Sequence, residues 1–298
     1  MKGKVKYGAL STRMKEYEAV TKYKLLRRGY TMIRIDGKAF HTYTKGLIRP
    51  FDNGLVEDMD DTAKYLCKNI QGAVCAFVQS DEISILVTDF EKIETSAWLD
   101  NTIQKMCSIS ASMATAKFNK DRISRLISSG KILLEFDNLK WAEFDSRVYQ
   151  LPTKGEVINY LVWRQQDTVK NSISSVAQSM FSHKELNGKN GNEKQEMMFQ
   201  KDGTNWNDFD PKLKRGRIIV KETYEKEPDV FRTRWVSVAP PTFTQEKGYL
   251  DNLIPDREFG TVPHINFIPK DLTEDEKQSL IKALKSQLAS LIIDTRIL

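Results

Sequence analysis

The chain has 298 residues, 40% of them hydrophobic and 29% charged, with a formal net charge of +6 and a sequence pI near 9.0. This composition allows a sizeable buried core, excludes a spanning helix because no apolar run approaches the ~20 residues one needs, and mildly favours a polyanionic partner. Cys67, Cys75 and Cys107 contain no Cys-x-x-Cys pair, and His41, His183 and His264 are not paired at ligand spacing. A disulfide framework, a thiolate zinc site and a histidine-rich centre are therefore not indicated, and any metal is expected on oxygen. The basic start lacks the apolar run of a secretory signal, so a cytoplasmic address is expected.

In chain order, residues 11–29 open on Ser11, carry Met14, Tyr17, Val20 and Leu25 at helix-compatible positions and meet Gly29 as a stop, which predicts a helix. A short strand follows at 31–36. Leu55, Val56, Met59, Ala63, Leu66 and Cys67 recur at helical spacing and predict a helix over 52–70. Runs at 74–78 and 83–87, separated by Gln79-Ser80-Asp81-Glu82, read as a hairpin. A long Ala/Ser/Met-rich helix is expected at 96–119, then a strand at either 132–136 or 144–149. Beyond residue 152 the pattern gives a helix at 154–181, a flexible polar loop at 187–192, strands at 217–220 and 231–238, and a closing amphipathic helix near 273–291.

Strand, helix, strand, strand, helix, strand is the split βαβ, ferredoxin-like order of an α+β fold. In its usual antiparallel arrangement the first and third strands are central neighbours, so Asp36 at the end of one meets Asp81 at the start of the other. Two carboxylates so placed can hold a divalent ion, the minimum equipment for moving a nucleotidyl or phosphoryl group. Ordinary turn aspartates are the competing reading, because strand ends favour them anyway. The expected division is a catalytic domain at 1–150 and an α/β C-terminal extension at 151–298.

Several segments, taken together and in series, are more specific: Arg34-Ile35-Asp36-Gly37 with Phe40-His41, Gln79-Ser80-Asp81-Glu82, Phe144-Asp145-Ser146-Arg147, Trp163-Arg164-Gln165-Gln166-Asp167 and Lys214-Arg215-Gly216. Over residues 6–220 they resemble the tRNA-histidine guanylyltransferase superfamily, including its tRNA 5′-end-repair branch. The resemblance implies a polymerase-palm catalytic domain that adds nucleotides in the 3′-to-5′ direction, ATP and GTP or another NTP as substrates, tRNA as partner and a homotetramer. Carried over by position, Asp36 and Asp81 resemble the metal carboxylates and Gly37 a backbone ligand, for two Mg²⁺ ions. Gly37, Lys38, Ala39, Phe40 and His41 resemble the nucleotide loop, with Ser80 and Lys105 as further nucleotide contacts, and Arg49-Pro50-Phe51-Asp52 resembles a Lys-Pro-x-Asp motif. Read without the family, Phe40 is core and Lys105 a solvated charge.

Arg164, Lys214 and Arg215 fall where the resemblance implies RNA contact. Trp163 is expected to pack, and a structural salt bridge between Arg164 and Asp167 explains their i, i+3 spacing equally well. Glu82 either tunes the site or ends the turn. The eukaryotic enzymes follow this helix with His-Ile-Asn-Asn, where this chain has Val169-Lys170-Asn171-Ser172. That departure points to templated repair of truncated tRNA 5′ ends rather than non-templated G addition to histidine tRNA. A palm-domain nucleotidyl cyclase and an inactive RNA-binding module are the alternatives from other classes.

Overall fold

The computed structural model describes residues 8–92, 94–130, 139–228 and 230–257, and Gln278 besides. Strands β1 (Tyr30–Gly37), β2 (Ala73–Gln79), β3 (Glu82–Val87), β4 (Phe144–Leu151), β5 (Arg217–Glu227) and β6 (Val230–Val238) form one sheet in the order β4-β1-β3-β2-β5-β6. Every adjacent pair is antiparallel. The first four strands have the ferredoxin-like order, and β5 and β6 extend the same sheet beyond β2. Among the described residues no helix is long and apolar enough to cross a membrane.

Side-chain alternation divides each strand between two cores. On one face Ile33, Ile35, Ala76, Val78, Ile83 and Ile85 pack with Met59, Ala63 and Leu66 of α3 (Asn53–Asn69) and with Met106, Ala114 and Phe118 of α4 (Ile103–Ser128). Phe40 of the short α2 (Phe40–Tyr43) joins that core. On the other, Tyr30, Met32, Cys75, Phe77 and Leu86 meet Val157, Tyr160 and Leu161 of α5 (Lys154–Met180) and Leu250 of α9 (Lys247–Leu253). The second half of α5 builds a third core, setting Ile173, Val176 and Ala177 against Leu186 of α6 (His183–Leu186) and Met198 of α7 (Gly191–Asp202).

Several boundaries differ from expectation for identifiable reasons. The first helix, α1 (Ala9–Ala19), stops ten residues before Gly29 and buries no residue. The chain after it is held instead by a turn at 98–101: Lys24 bridges to Thr102, Leu25 N–H donates to Asn101 O, and the Asn101 amide donates to Leu26 O. Leu99, Asp100 and Asn101 are all left-handed there, which delays α4 until Ile103. The polar stretch at 187–192 is only in part a loop. Asn190 and Glu193 close a reciprocal capping box that starts α7, a signal present in the sequence as Asn-x-x-Glu. β5 runs seven residues past its expected end, paired with β6. The alternative strand at 132–136 and the closing helix at 273–291 lie outside the described residues.

Between α8 (Pro211–Arg215) and β5, Gly216 has φ +82°, and a Cβ on it would stand 2.6 Å from Phe77 Cζ and 3.0 Å from Val78 O. Phe77 is fully buried. The Gly216→Ala variant is therefore expected to lose about 2–4 kcal/mol through left-handed strain and overpacking together. Urea denaturation measures it; a midpoint equal to that of the unmutated protein would contradict this reading of the turn.

Candidate active site

β1 and β3 deliver the acids. Asp36 lies opposite Glu82 in the β1–β3 register and opposite Asp145 in the β1–β4 register. Asp81 is one residue beyond the pairing, in a turn opened by Ser80 at φ +44°, and its carbonyl accepts from Gly37 N–H at 3.2 Å. The two aspartates thus meet with a one-residue offset, Glu82 taking the paired position. Burial raises the Asp81 carboxyl above the usual carboxylate range, and the charges of Asp36 and Glu82 raise it further, against a lowering hydrogen bond from Ser80.

Glu82 is not an open ligand. It is 5% exposed and enclosed by partners: ion pairs with Arg34 Nη2 at 2.7 Å and Arg164 Nε at 3.0 Å, and hydrogen bonds from Arg164 Nη2 at 3.1 Å, Gln79 Nε2 at 3.2 Å and Ser84 Oγ at 3.0 Å. Ser84 in turn shares a 2.8 Å hydrogen bond with Tyr160 of α5. Arg34 and Arg147, which lie within the motifs but are not among the expected site residues, both flank Asp36, at 3.9 Å and 3.8 Å. Alternation alone places Arg34 and Asp36 on one face of β1; Arg147 needs the β4 register, which spacing does not reveal.

The loop from Gly37 to His41 turns away from the strand at once. Lys38 N–H donates to Glu143 O, its ammonium pairs with Glu143 at 2.5 Å, and Ala39 is left-handed. A Cβ on Gly37 would stand 2.2 Å from the Phe40 ring, so glycine is required for Phe40 to fold back over the strand end. Phe40 is 5% exposed and contacts Tyr43, Phe118 and Phe144, which makes it core; Lys38, His41 and Ser80 are exposed.

Past Tyr43 opens a cavity of about 600 Å³ lined by Lys45, Phe51, Asp52, Arg122, Arg125 and Lys140 among others. Asp52 caps α3 through Leu55 N–H at 2.8 Å, and fully buried Asp58 accepts from Arg125 at 2.9 and 3.1 Å, with Arg122 at 3.7 Å. Lys140 donates to the carbonyls of Thr42, Tyr43 and Lys45, fixing the rim. The volume lies within the range of small-molecule sites, but Arg122 and Arg125 are already paired with Asp52, Glu57 and Asp58 and Lys140 with backbone carbonyls.

Other expected contacts are placed elsewhere. Lys105 is exposed in the first turn of α4, at the end tied to Tyr23, whereas Phe118, thirteen residues on, is what meets Phe40; at 1.5 Å per residue that is roughly 20 Å of helix between Lys105 and the Phe40 loop contact. Arg164 is 3% exposed and joins Glu82 to Asp167 at 2.7 Å, so the structural salt bridge is present and its guanidinium does not face solvent. Trp163, expected to pack, is 51% exposed with the Arg164 guanidinium 4.2 Å from its ring. The cluster at 212–217 is turned inward: Lys214 donates to Asn207 O at 2.5 Å, Arg215 to Thr242 at 3.3 Å, and Arg217 to Asp60 at 2.6 Å.

The sheet order is that of a palm-like domain, with Asp36 at the β1 end and Asp81 in the β2–β3 turn. The family model described as Thg1, tRNAHis guanylyltransferase, matches residues 11–152. A bacterial tRNA(His) guanylyltransferase (Thg1)-like protein solved in complex with ATP is 42% identical, with a TM-score of 0.73 over 83% of this chain and 99% of that one. A bacterial structure of the same description in complex with GTP is also 42% identical, with a TM-score of 0.69 over 82% and 98% of the two chains. The tRNA(His) guanylyltransferase of Schizosaccharomyces pombe is 27% identical over 231 residues, 72% of this chain and 81% of that one. The chain belongs to the Thg1 family of tRNA-histidine guanylyltransferases, which are nucleotidyltransferases.

Proposed function

We propose that this protein is a Mg²⁺-dependent 3′-to-5′ nucleotidyltransferase that activates and extends the 5′ end of tRNA, repairing truncated ends against the facing strand. The observation that carries it is the meeting of Asp36 and Asp81 at the β1 end and the β2–β3 turn, in a chain 42% identical to bacterial relatives solved with ATP and with GTP.

The donor set fits a hard divalent cation: two carboxylates and the Gly37 carbonyl are all oxygen, and burial chiefly, with the neighbouring Asp36 and Glu82 charges, raises the Asp81 carboxyl. Among the described residues no group of three or more His, Cys, Asp or Glu side chains is arranged to hold a metal, so substrate phosphates and water complete such a site. When bound, a Mg²⁺ pair supplies hydroxyl activation and neutralisation of the departing phosphate. The chain's own residues do the rest. Arg34 and Arg147 flank Asp36 and offer donors to phosphate oxygens, and the backbone at 37–41, which turns away at the strand end, receives the nucleotide. In the first step the RNA 5′-phosphate bonds to the ATP α-phosphorus and pyrophosphate leaves. In the second, the NTP 3′-hydroxyl attacks the activated 5′-phosphate and AMP leaves; a 5′-triphosphate end is attacked directly.

Residues 151–298 are proposed as the tRNA-binding extension, with exposed Lys170, Lys184, Lys189 and Lys201 better placed for phosphate contact than the inward cluster at 212–217. Family resemblance also supports a homotetramer, consistent with the exposed Leu10, Met14 and Tyr17 stripe on α1.

The test varies the base that faces the missing first nucleotide of a tRNA, with ATP, Mg²⁺ and each NTP in turn. Addition of the complementary nucleotide every time supports templated repair; G whatever the facing base would move the assignment to histidine-tRNA guanylylation. The raised Asp81 carboxyl adds a pH expectation. Protons compete with the metal for that oxygen, so activity falls on the acid side at a pH above that of an ordinary aspartate, and more Mg²⁺ moves the limb to lower pH. A limb indifferent to Mg²⁺ would contradict it.

A further inference from the structure

A second cavity, of about 280 Å³, shares no lining residue with the carboxylate cluster or the larger cavity. It forms where α7 meets the turn at 204–206, and its walls combine the rings of Phe199 and Trp206 with the amides of Asn192, Gln195 and Asn205 and the carboxylate of Glu196. No aliphatic side chain lines it, so an apolar peptide or acyl anchor has nothing to pack on, and no lysine or arginine lines it, so it is no pocket for a bare phosphate. Phe199 is 56% exposed while its neighbour Met198 is fully buried, so Met198 anchors the helix and the Phe199 ring is left largely open.

Trp206 is fixed in place. Its indole N–H donates to Ser172 Oγ at 3.1 Å, and the Lys214 ammonium stands 5.3 Å from its ring. Lys194 and Lys201 of α7 lie on its other face, where they donate to Ser174 Oγ and Met180 O of α5 and leave the cavity mouth to the aromatic and amide groups.

We propose that this cavity takes one unpaired nucleobase of the RNA substrate, stacked against Phe199 and Trp206 and hydrogen-bonded along its edge by the surrounding amides. The inference rests on the tRNA-acting reading above. Planar aromatic walls with mixed amide donors and acceptors match a base's π-face and Watson–Crick edge, which only unpaired nucleotides present. The Glu196 carboxylate adds an acceptor, favouring a base with an amino group.

The test is the affinity of full-length protein for a tRNA lacking its first nucleotide, measured by filter binding with the intact chain, Phe199→Ala, Phe199→Tyr and Gln195→Ala. Loss of one base–aromatic stack weakens binding about 10-fold for Phe199→Ala, with Phe199→Tyr restoring it and Gln195→Ala intermediate. A photo-crosslinking p-benzoylphenylalanine at position 199 is expected to mark a single unpaired nucleotide. Equal affinity for intact protein and Phe199→Ala, or adducts confined to duplex RNA, would overturn the proposal while leaving the catalytic reading in place. Failure of the intact chain to bind tRNA at all would instead overturn that reading, and this inference with it.

Discussion

Asp36→Asn and Asp81→Asn are each expected to reduce nucleotide addition by about 10³-fold or more while leaving the fold and tRNA affinity intact. Charge neutralisation at the reacting phosphates is worth several kcal/mol, and each 1.36 kcal/mol is a factor of ten in rate. The amide keeps the shape of the carboxylate but supplies one neutral acceptor instead of a charged ligand. Little stability is at stake for Asp36, whose side chain is 32% exposed and whose nearest guanidiniums stand 3.8 and 3.9 Å away. Single-turnover extension of a truncated tRNA measures the first effect and thermal denaturation the second. Retention of more than a tenth of the activity in either variant would remove the metal role from that residue.

Glu82→Ala is expected to behave in the opposite way, as a folding defect. The side chain neutralises Arg164, which is 3% exposed, and holds Arg34 at 2.7 Å. Its removal leaves two largely buried guanidiniums competing for Asp167 and Asp36, and breaking a buried pair in this way costs about 3–5 kcal/mol. Loss of Arg34's anchor also frees it to swing onto Asp36, so activity falls as a secondary effect. Urea denaturation distinguishes this from direct metal ligation: unchanged stability with abolished turnover would make Glu82 a ligand and not a positioning residue.

How much of this was legible in sequence depends on which physical signal each element carries. The βαββαβ order, the hairpin and the α3 helix follow from periodicity, and the fold bears them out. The antiparallel meeting of β1 and β3 follows from that order. Register does not: one residue of offset puts Glu82, not Asp81, across from Asp36. Burial of Arg164 and exposure of Trp163 were equally hidden, because a helix face is chosen by what it packs against, and here Glu82 on β3 draws the arginine inward. The inward turn of the cluster at 212–217 depends on Asp60, Thr242 and Asn207, partners up to 157 positions away. The start of α7, by contrast, was written in Asn190 and Glu193 and needed only the capping pattern to be read.

The most direct test of the central claim is transfer of label from [α-³²P]ATP to a 5′-monophosphorylated, truncated tRNA in the presence of Mg²⁺ and no other nucleotide. The account predicts a labelled, adenylylated 5′ end with the intact protein and none with Asp36→Asn or Asp81→Asn. Label transferred equally by all three proteins, or by none of them despite tRNA binding, would contradict a carboxylate-centred activation of the RNA 5′ end.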